Sequence, residues 1–115
     1  MTKSGNKQSW PSRVAFLACA SLALALLANA TIVQVSTTTA ANMTATPTVA
    51  DGQDGQILII INTGANAFTL QDQGGLAGSN LRLAGNFTLA TRDNITLMFI
   101  AAIGDWVEQA RANVT

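Results

Sequence analysis

Apolar and polar positions alternate along much of this chain. In residues 30–36, ATIVQVS, Thr31, Val33 and Val35 fall on one side, with Ile32, Gln34 and Ser36 on the other. In residues 43–49, MTATPTV, Met43, Ala45, Pro47 and Val49 oppose Thr44, Thr46 and Thr48. Strict alternation marks a half-buried strand. Pro47 cannot donate to a ladder, so this strand lies at an edge or stops there. Residues 57–61, ILIII, form a continuous apolar run between turn signals, which predicts a central strand buried on both faces. AFTLQ follows, with Phe68 and Leu70 inward. Three further segments place one polar residue between two apolar ones: Leu81-Arg82-Leu83, Phe87-Thr88-Leu89 and Ile95-Thr96-Leu97. The last of them runs on to Ile100, and Trp106-Val107-Glu108-Gln109-Ala110 closes the set.

Turn chemistry separates these segments. DGQDGQ, residues 51–56, holds two Asp-Gly pairs suited to positive backbone angles. Residues 62–66 turn the chain, and QGGLAGSN, residues 73–80, reads as a flexible loop. Gly85-Asn86, Arg92-Asp93-Asn94 and Gly104-Asp105 mark the remaining turns. Roughly seven to nine short strands at about ten-residue spacing, with no helical pattern after residue 30, predict an all-β fold. The expected form is a small antiparallel β-sandwich, barrel or prism-like module over residues 31–115.

Residues 1–30 differ in kind. A polar arm carrying Lys3, Lys7 and Arg13 precedes VAFLACASLALALLANA, residues 14–30. Basic arm, apolar core and Ala28-Asn29-Ala30 fit a cleaved signal peptide. As a spanning helix the run is short, since about twenty apolar residues are needed. Leu22, Leu24 and Leu26 alternate with alanines, which is also strand grammar and leads towards the strand at residues 30–36. The reading favoured here is a retained segment that buries itself against neighbouring subunits. Trp10, Phe16, Leu17, Leu22, Leu24, Leu26 and Trp106 are the candidate assembly contacts.

Composition narrows the function. Residues 14–115 hold three arginines against six acids, with no cation between Val14 and Leu81. A nucleic-acid binder needs a basic stripe to displace counterions, so nucleic acid is not the expected partner. The 115 residues include no His and a single Cys, Cys19, read as a small buried hydrophobe. That leaves no internal disulfide, no Cys/His zinc site and no triad with a His base. Six aromatics among many Ala, Thr, Asn and Gly make a thin core. Packing several copies together would bury more surface per residue, which points to an obligate oligomer.

The remaining candidate chemistry has plainer explanations. Asp51 and Asp54 loosely suggest a calcium loop, but Gly52, Gln53 and Gly55 stand where oxygen ligands would be needed. Asp105 and Glu108 flank Trp106 like a glycosidase pair beside a sugar platform, yet a turn Asp, a packed Trp and a surface Glu account for them. An ion pair of Glu108 with Arg111 or Arg92 would add little if exposed. Gly74, Gly75 and Gly78 do not form the dinucleotide fingerprint. Asn-x-Thr triplets begin at Asn29, Asn42, Asn86, Asn94 and Asn113. A turn Asn followed by an alternating strand generates them without any glycan. No catalytic, cofactor or metal residue is therefore expected, and the chain reads as structural.

Taken in order, several motifs resemble a β module of bacteriophage virion proteins. They are Asp54-Gly55-Gln56 before the apolar strand 57–62, NAFTLQD at 66–72, NLRLAGNFTLA at 80–90, Asp93 to Leu97, and Trp106 to Arg111. The likeness spans residues 31 to 112. It implies an all-β, usually homotrimeric, structural piece of fibres or of small proteins that decorate and cement capsids. No catalytic residues come with it, and residues 1–30 are not part of it. The expected partners are further copies of the chain and the major capsid protein or other virion proteins, on the outer surface of the capsid. The alternatives are a head or tail fibre component, a secreted or periplasmic bacterial β protein, and a carbohydrate-binding module using Trp106 and Trp10.

Overall fold

The computed structural model describes residues 14–19, as a backbone strand, and residues 31–115. The described chain is all-β, with nine strands: β1 (Val14–Cys19), β2 (Ile32–Thr37), β3 (Ala41–Asn42), β4 (Ile57–Asn62), β5 (Phe68–Leu70), β6 (Leu81–Arg82), β7 (Phe87–Leu89), β8 (Asn94–Ile100) and β9 (Asp105–Ala112). One sheet has the order β1-β2-β4-β8-β9-β6, and a smaller one the order β3-β5-β7.

Side-chain alternation positions most of these strands. Val33, Val35 and Thr37 of β2 are buried while their neighbours are half-exposed. The same two-residue period puts Phe68 and Leu70, Phe87 and Leu89, and Ile95, Leu97 and Phe99 into one core. Trp106 and Leu81 join them from the larger sheet. Most of these side chains are wholly removed from water, each worth about 1.5–3 kcal/mol on transfer.

Three expectations change. The sheets are mixed and not antiparallel: β1–β2, β2–β4, β3–β5 and β6–β9 pair in parallel, and β4–β8, β5–β7 and β8–β9 antiparallel. Alternation reports which face a residue occupies, not the direction of its strand. The long connection between β2 and β4 lets the chain return and lie parallel.

Residues 43–49 form no continuous strand. Met43 and Val49 are fully buried, but bends occupy 46–48 and Pro47 is exposed beyond a cis Thr46–Pro47 bond. The Thr48 hydroxyl donates to the Ala45 carbonyl at 3.0 Å, closing a local turn in place of a ladder.

β4 is central, between β2 and β8, yet only Leu58, Ile60 and Asn62 are buried. Ile59 and Ile61 are half-exposed and Ile57 is 37 % exposed. The core covers one face of the larger sheet, and the apolar run continues on the other.

Two glycines of the DGQDGQ turn serve different needs. Gly55 has φ +81° at the third position of a turn closed by Gln56 N–H to Gln53 C=O, 2.8 Å. Gly52 lies against the indole of Trp106, where an added Cβ would sit 2.7 Å from Cζ2.

Candidate functional site

Every acid of the described residues is engaged within the fold. Asp105, only 7 % exposed, accepts from Arg82 Nε at 2.8 Å and Gln73 Nε2 at 3.1 Å. Glu108 takes Arg111 in a two-point contact at 2.8 Å each and the Ala84 N–H at 2.9 Å. The Arg111 guanidinium also lies 4.5 Å over the Phe87 ring. The Arg111 hydrogen bond is the main cause that holds the Glu108 carboxyl below its ordinary range, and Glu108 in turn raises Arg111. Asp54 accepts from Ala101 N–H at 3.0 Å, and Asp51 meets Asn80 Nδ2 at 3.5 Å.

Asp72 and Asp93 act as backbone clasps. Asp72 accepts from Leu83 N–H at 2.7 Å, and that bond is the chief cause of its lowered pKa. Asp93 is 1 % exposed. Burial pushes its carboxyl upward, but the N–H groups of Val114 and Ala90 and the Thr115 hydroxyl outweigh burial and leave it lowered. No three potential metal ligands cluster among the described residues. Such carboxylates hold turns and the C-terminal tail in place.

Trp106, expected as an assembly contact or sugar platform, lies inside the described domain with no exposed surface. Its indole N–H donates to the Ala50 carbonyl at 3.1 Å, and its ring meets Phe99 edge-on at 5.2 Å. Beside it sits a buried pair that the expected flexible loop did not suggest. Asn80, 6 % exposed, donates from Nδ2 to the Val49 carbonyl at 2.6 Å and accepts the Val49 N–H at 3.2 Å. Ser79, 4 % exposed, accepts from Leu81 N–H and donates to the Gln71 carbonyl. A Ser-Asn pair after Gly-rich sequence reads as loop, and only its contacts distinguish a clasp from a surface turn.

The candidate contact surface is the side of the larger sheet turned from the core. Strand register aligns its residues in rows. Ile57, Met98 and Val107 form one row, and Ile32, Ile59, Thr96 and Ala110 the next. Gln34, Ile61, Asn94 and Ala112 form the third. The first row continues to Arg82 of β6, which pairs with Val107 and is held at 2.8 Å by Asp105, itself opposite Ile100 on the same side.

A bulge keeps Arg111 off this side. Leu97 pairs with Glu108 but Thr96 pairs with Ala110, which leaves Gln109 as the extra residue. A single extra residue flips every later side chain to the other face. Glu108 and Arg111 therefore both stand on the core side, opposite Leu97 and Ile95. Without the bulge Arg111 would project from the outer face.

Of the other expected contacts, Trp10, Leu22, Leu24 and Leu26 lie outside the described residues. Phe16 and Leu17 belong to β1, whose backbone pairs with β2 opposite Gln34 and Val35. No protein-family model matches this chain, and no curated protein or solved structure matches it either.

Proposed function

We propose that this chain is a structural protein of a bacteriophage virion, a capsid decoration or cement protein that works by surface contact and not by catalysis. The observation that carries the reading is the outer face of the larger sheet, where Ile57, Ile59, Ile61, Met98 and Val107 stand at least partly exposed. An apolar sheet face of that extent is a contact surface in want of a partner. The engagement of each described acid within the fold supports the same reading, as does the ordered series of motifs from Asp54 to Arg111. In this role the chain acts as a homotrimer on the outer surface of the head, and the polar arm that precedes β1 reaches neighbouring capsid subunits.

The test compares particles with and without the protein under heat and low salt. Particles lacking it lose integrity at lower temperature and at higher salt than complete ones. Equal resistance of both contradicts the cement role.

A further inference from the structure

Asp51-Gly52 and Asp54-Gly55 are the two places in the chain where an Asp or Asn precedes a glycine. An aspartyl side chain is open to attack by the amide nitrogen of the next residue. Glycine favours that attack, because it has no Cβ to obstruct the approach and its backbone turns freely. By sequence the two pairs are equivalent, but their surroundings differ.

Asp54-Gly55 is held at both reacting groups. The Gly55 N–H donates to the Phe99 carbonyl at 2.8 Å, and Asp54 Oδ1 accepts the Ala101 N–H at 3.0 Å. Ring closure at this pair must first open both bonds. Asp51-Gly52 has no such hold. Asp51 is exposed, and among the described residues its carboxylate meets only Asn80 Nδ2, at 3.5 Å. The Gly52 N–H donates to no group among the described residues. Packing on the Trp106 indole keeps Gly52 in place, which leaves its nitrogen with no bond to break.

We propose that Asp51-Gly52 is a site of spontaneous isoaspartate formation in the folded protein, and that Asp54-Gly55 is protected from it. The Gly52 nitrogen attacks Asp51 Cγ, and the OH of the carboxylic acid leaves with the amide proton as water. Water then adds to one carbonyl of the resulting succinimide and cleaves its bond to nitrogen. Cleavage at Cγ restores aspartate. Cleavage at the main-chain carbonyl of residue 51 routes the backbone through Cβ and Cγ. One water is lost and one gained, so the change is an isomerisation and needs no other reactant.

The product lengthens the main chain by one carbon beside the seat of Trp106. The neighbouring Ala50 carbonyl accepts Trp106 Nε1 at 3.1 Å, and even a Cβ added at Gly52 would sit 2.7 Å from the indole. Trp106 is the largest fully buried side chain among the described residues. Isoaspartate at position 51 therefore displaces the loop from the indole and lowers thermal stability.

The test ages the full chain for weeks in warm neutral buffer, folded and in urea. A protease that cuts before aspartate but not before isoaspartate releases the peptides, and electron-transfer mass spectrometry locates the isomer. Each hydrogen bond that must open protects by up to about tenfold, so in the folded chain residue 51 isomerises at least about tenfold faster than residue 54. In urea the two rates converge, because the bonds that distinguish the pairs are gone. Asp51→Glu keeps the carboxylate but needs a larger ring, so it stops the reaction at this site. Aged wild type melts below fresh protein, whereas aged Asp51→Glu does not. Equal rates at 51 and 54 in the folded chain overturn the assignment. So does a folded chain in which neither residue reacts while both react in urea. Isoaspartate at 51 with an unchanged Tm overturns its effect on the seat of Trp106.

Discussion

Removing the Asn80 side chain gives the sharpest view of what holds the two sheets in place. Asn80 imitates a strand partner: it accepts the Val49 N–H at 3.2 Å and donates to the Val49 C=O at 2.6 Å, both bonds buried. Its own carbonyl accepts the Trp106 N–H at 2.8 Å, so one residue fixes Val49 and the start of β9 together. Asn80→Ala deletes both bonds to Val49 and the longer one to Asp51, and leaves the main-chain bond. A buried polar group that loses its partner costs about 1–3 kcal/mol, so the variant should lose about 2–5 kcal/mol. That is a large share of the roughly 5–15 kcal/mol typical of a domain. Urea unfolding followed by circular dichroism reads the change as a lower midpoint at an unchanged slope. Asn86→Ala is the control, because Asn86 is exposed and its one side-chain bond, from Asp72 N–H, is at the surface. It should cost about 1 kcal/mol or less.

Asn80→Asp adds a signature that mere cavity formation would lack. At neutral pH its carboxylate faces the Val49 carbonyl and the nearby Asp51, so folding raises its pKa above the unfolded value. Protonation restores a donor, and the variant regains stability as pH falls through that raised pKa. An Asn80→Ala midpoint equal to that of Asn86→Ala, or an Asn80→Asp penalty flat with pH, refutes the reasoning.

Other perturbations test separate contacts. Gly52→Ala places a Cβ 2.7 Å from the buried indole of Trp106, and overpacking of this kind costs about 1–3 kcal/mol; calorimetry should show a lowered Tm. Arg92 holds φ +75° at the turn into β8, so Arg92→Gly should raise stability by about 0.5–1 kcal/mol in urea titration. Asp93 has a lowered folded pKa, so its contribution is complete above its unfolded value of about 3.9 and is lost as pH falls through the folded one. The Val114 amide resonance should therefore stay fixed from neutral pH to about pH 5 and move on further acidification, together with loss of the C-terminal clasp.

Faces were legible in the chain wherever apolar and polar residues alternate, as in β2, β5, β7 and β8. A two-residue period is a local property that survives any arrangement of the strands. Strand direction was not legible, because it depends on where long connections return. Residues 43–49 misled for a physical reason: their alternation is that of a strand, but Pro47 lacks an N–H and Thr48 bonds back to Ala45. The run 57–61 could not reveal that one of its faces stays open, since five consecutive apolar residues fit either case. The contact surface was the least legible feature. It unites Ile32, Ile59, Thr96 and Ala110 from four strands, and it depends on a bulge at Gln109 visible only in the register. Trp106 drew attention as an aromatic beside two acids, and its burial shows that such spacing marks packing as readily as binding.

Methionine oxidation reads the outer face most directly, because Met98 lies on it half-exposed while Met43 is fully buried. The full chain is treated with dilute peroxide at increasing protein concentration, and sulfoxide at each methionine is followed by mass spectrometry. Use of the outer face as the contact surface of the oligomer predicts that Met98 oxidises readily in dilute protein and is shielded by about fivefold or more once copies associate. Met43 should stay protected throughout. Association detected by light scattering with no change in the Met98 rate would contradict the account.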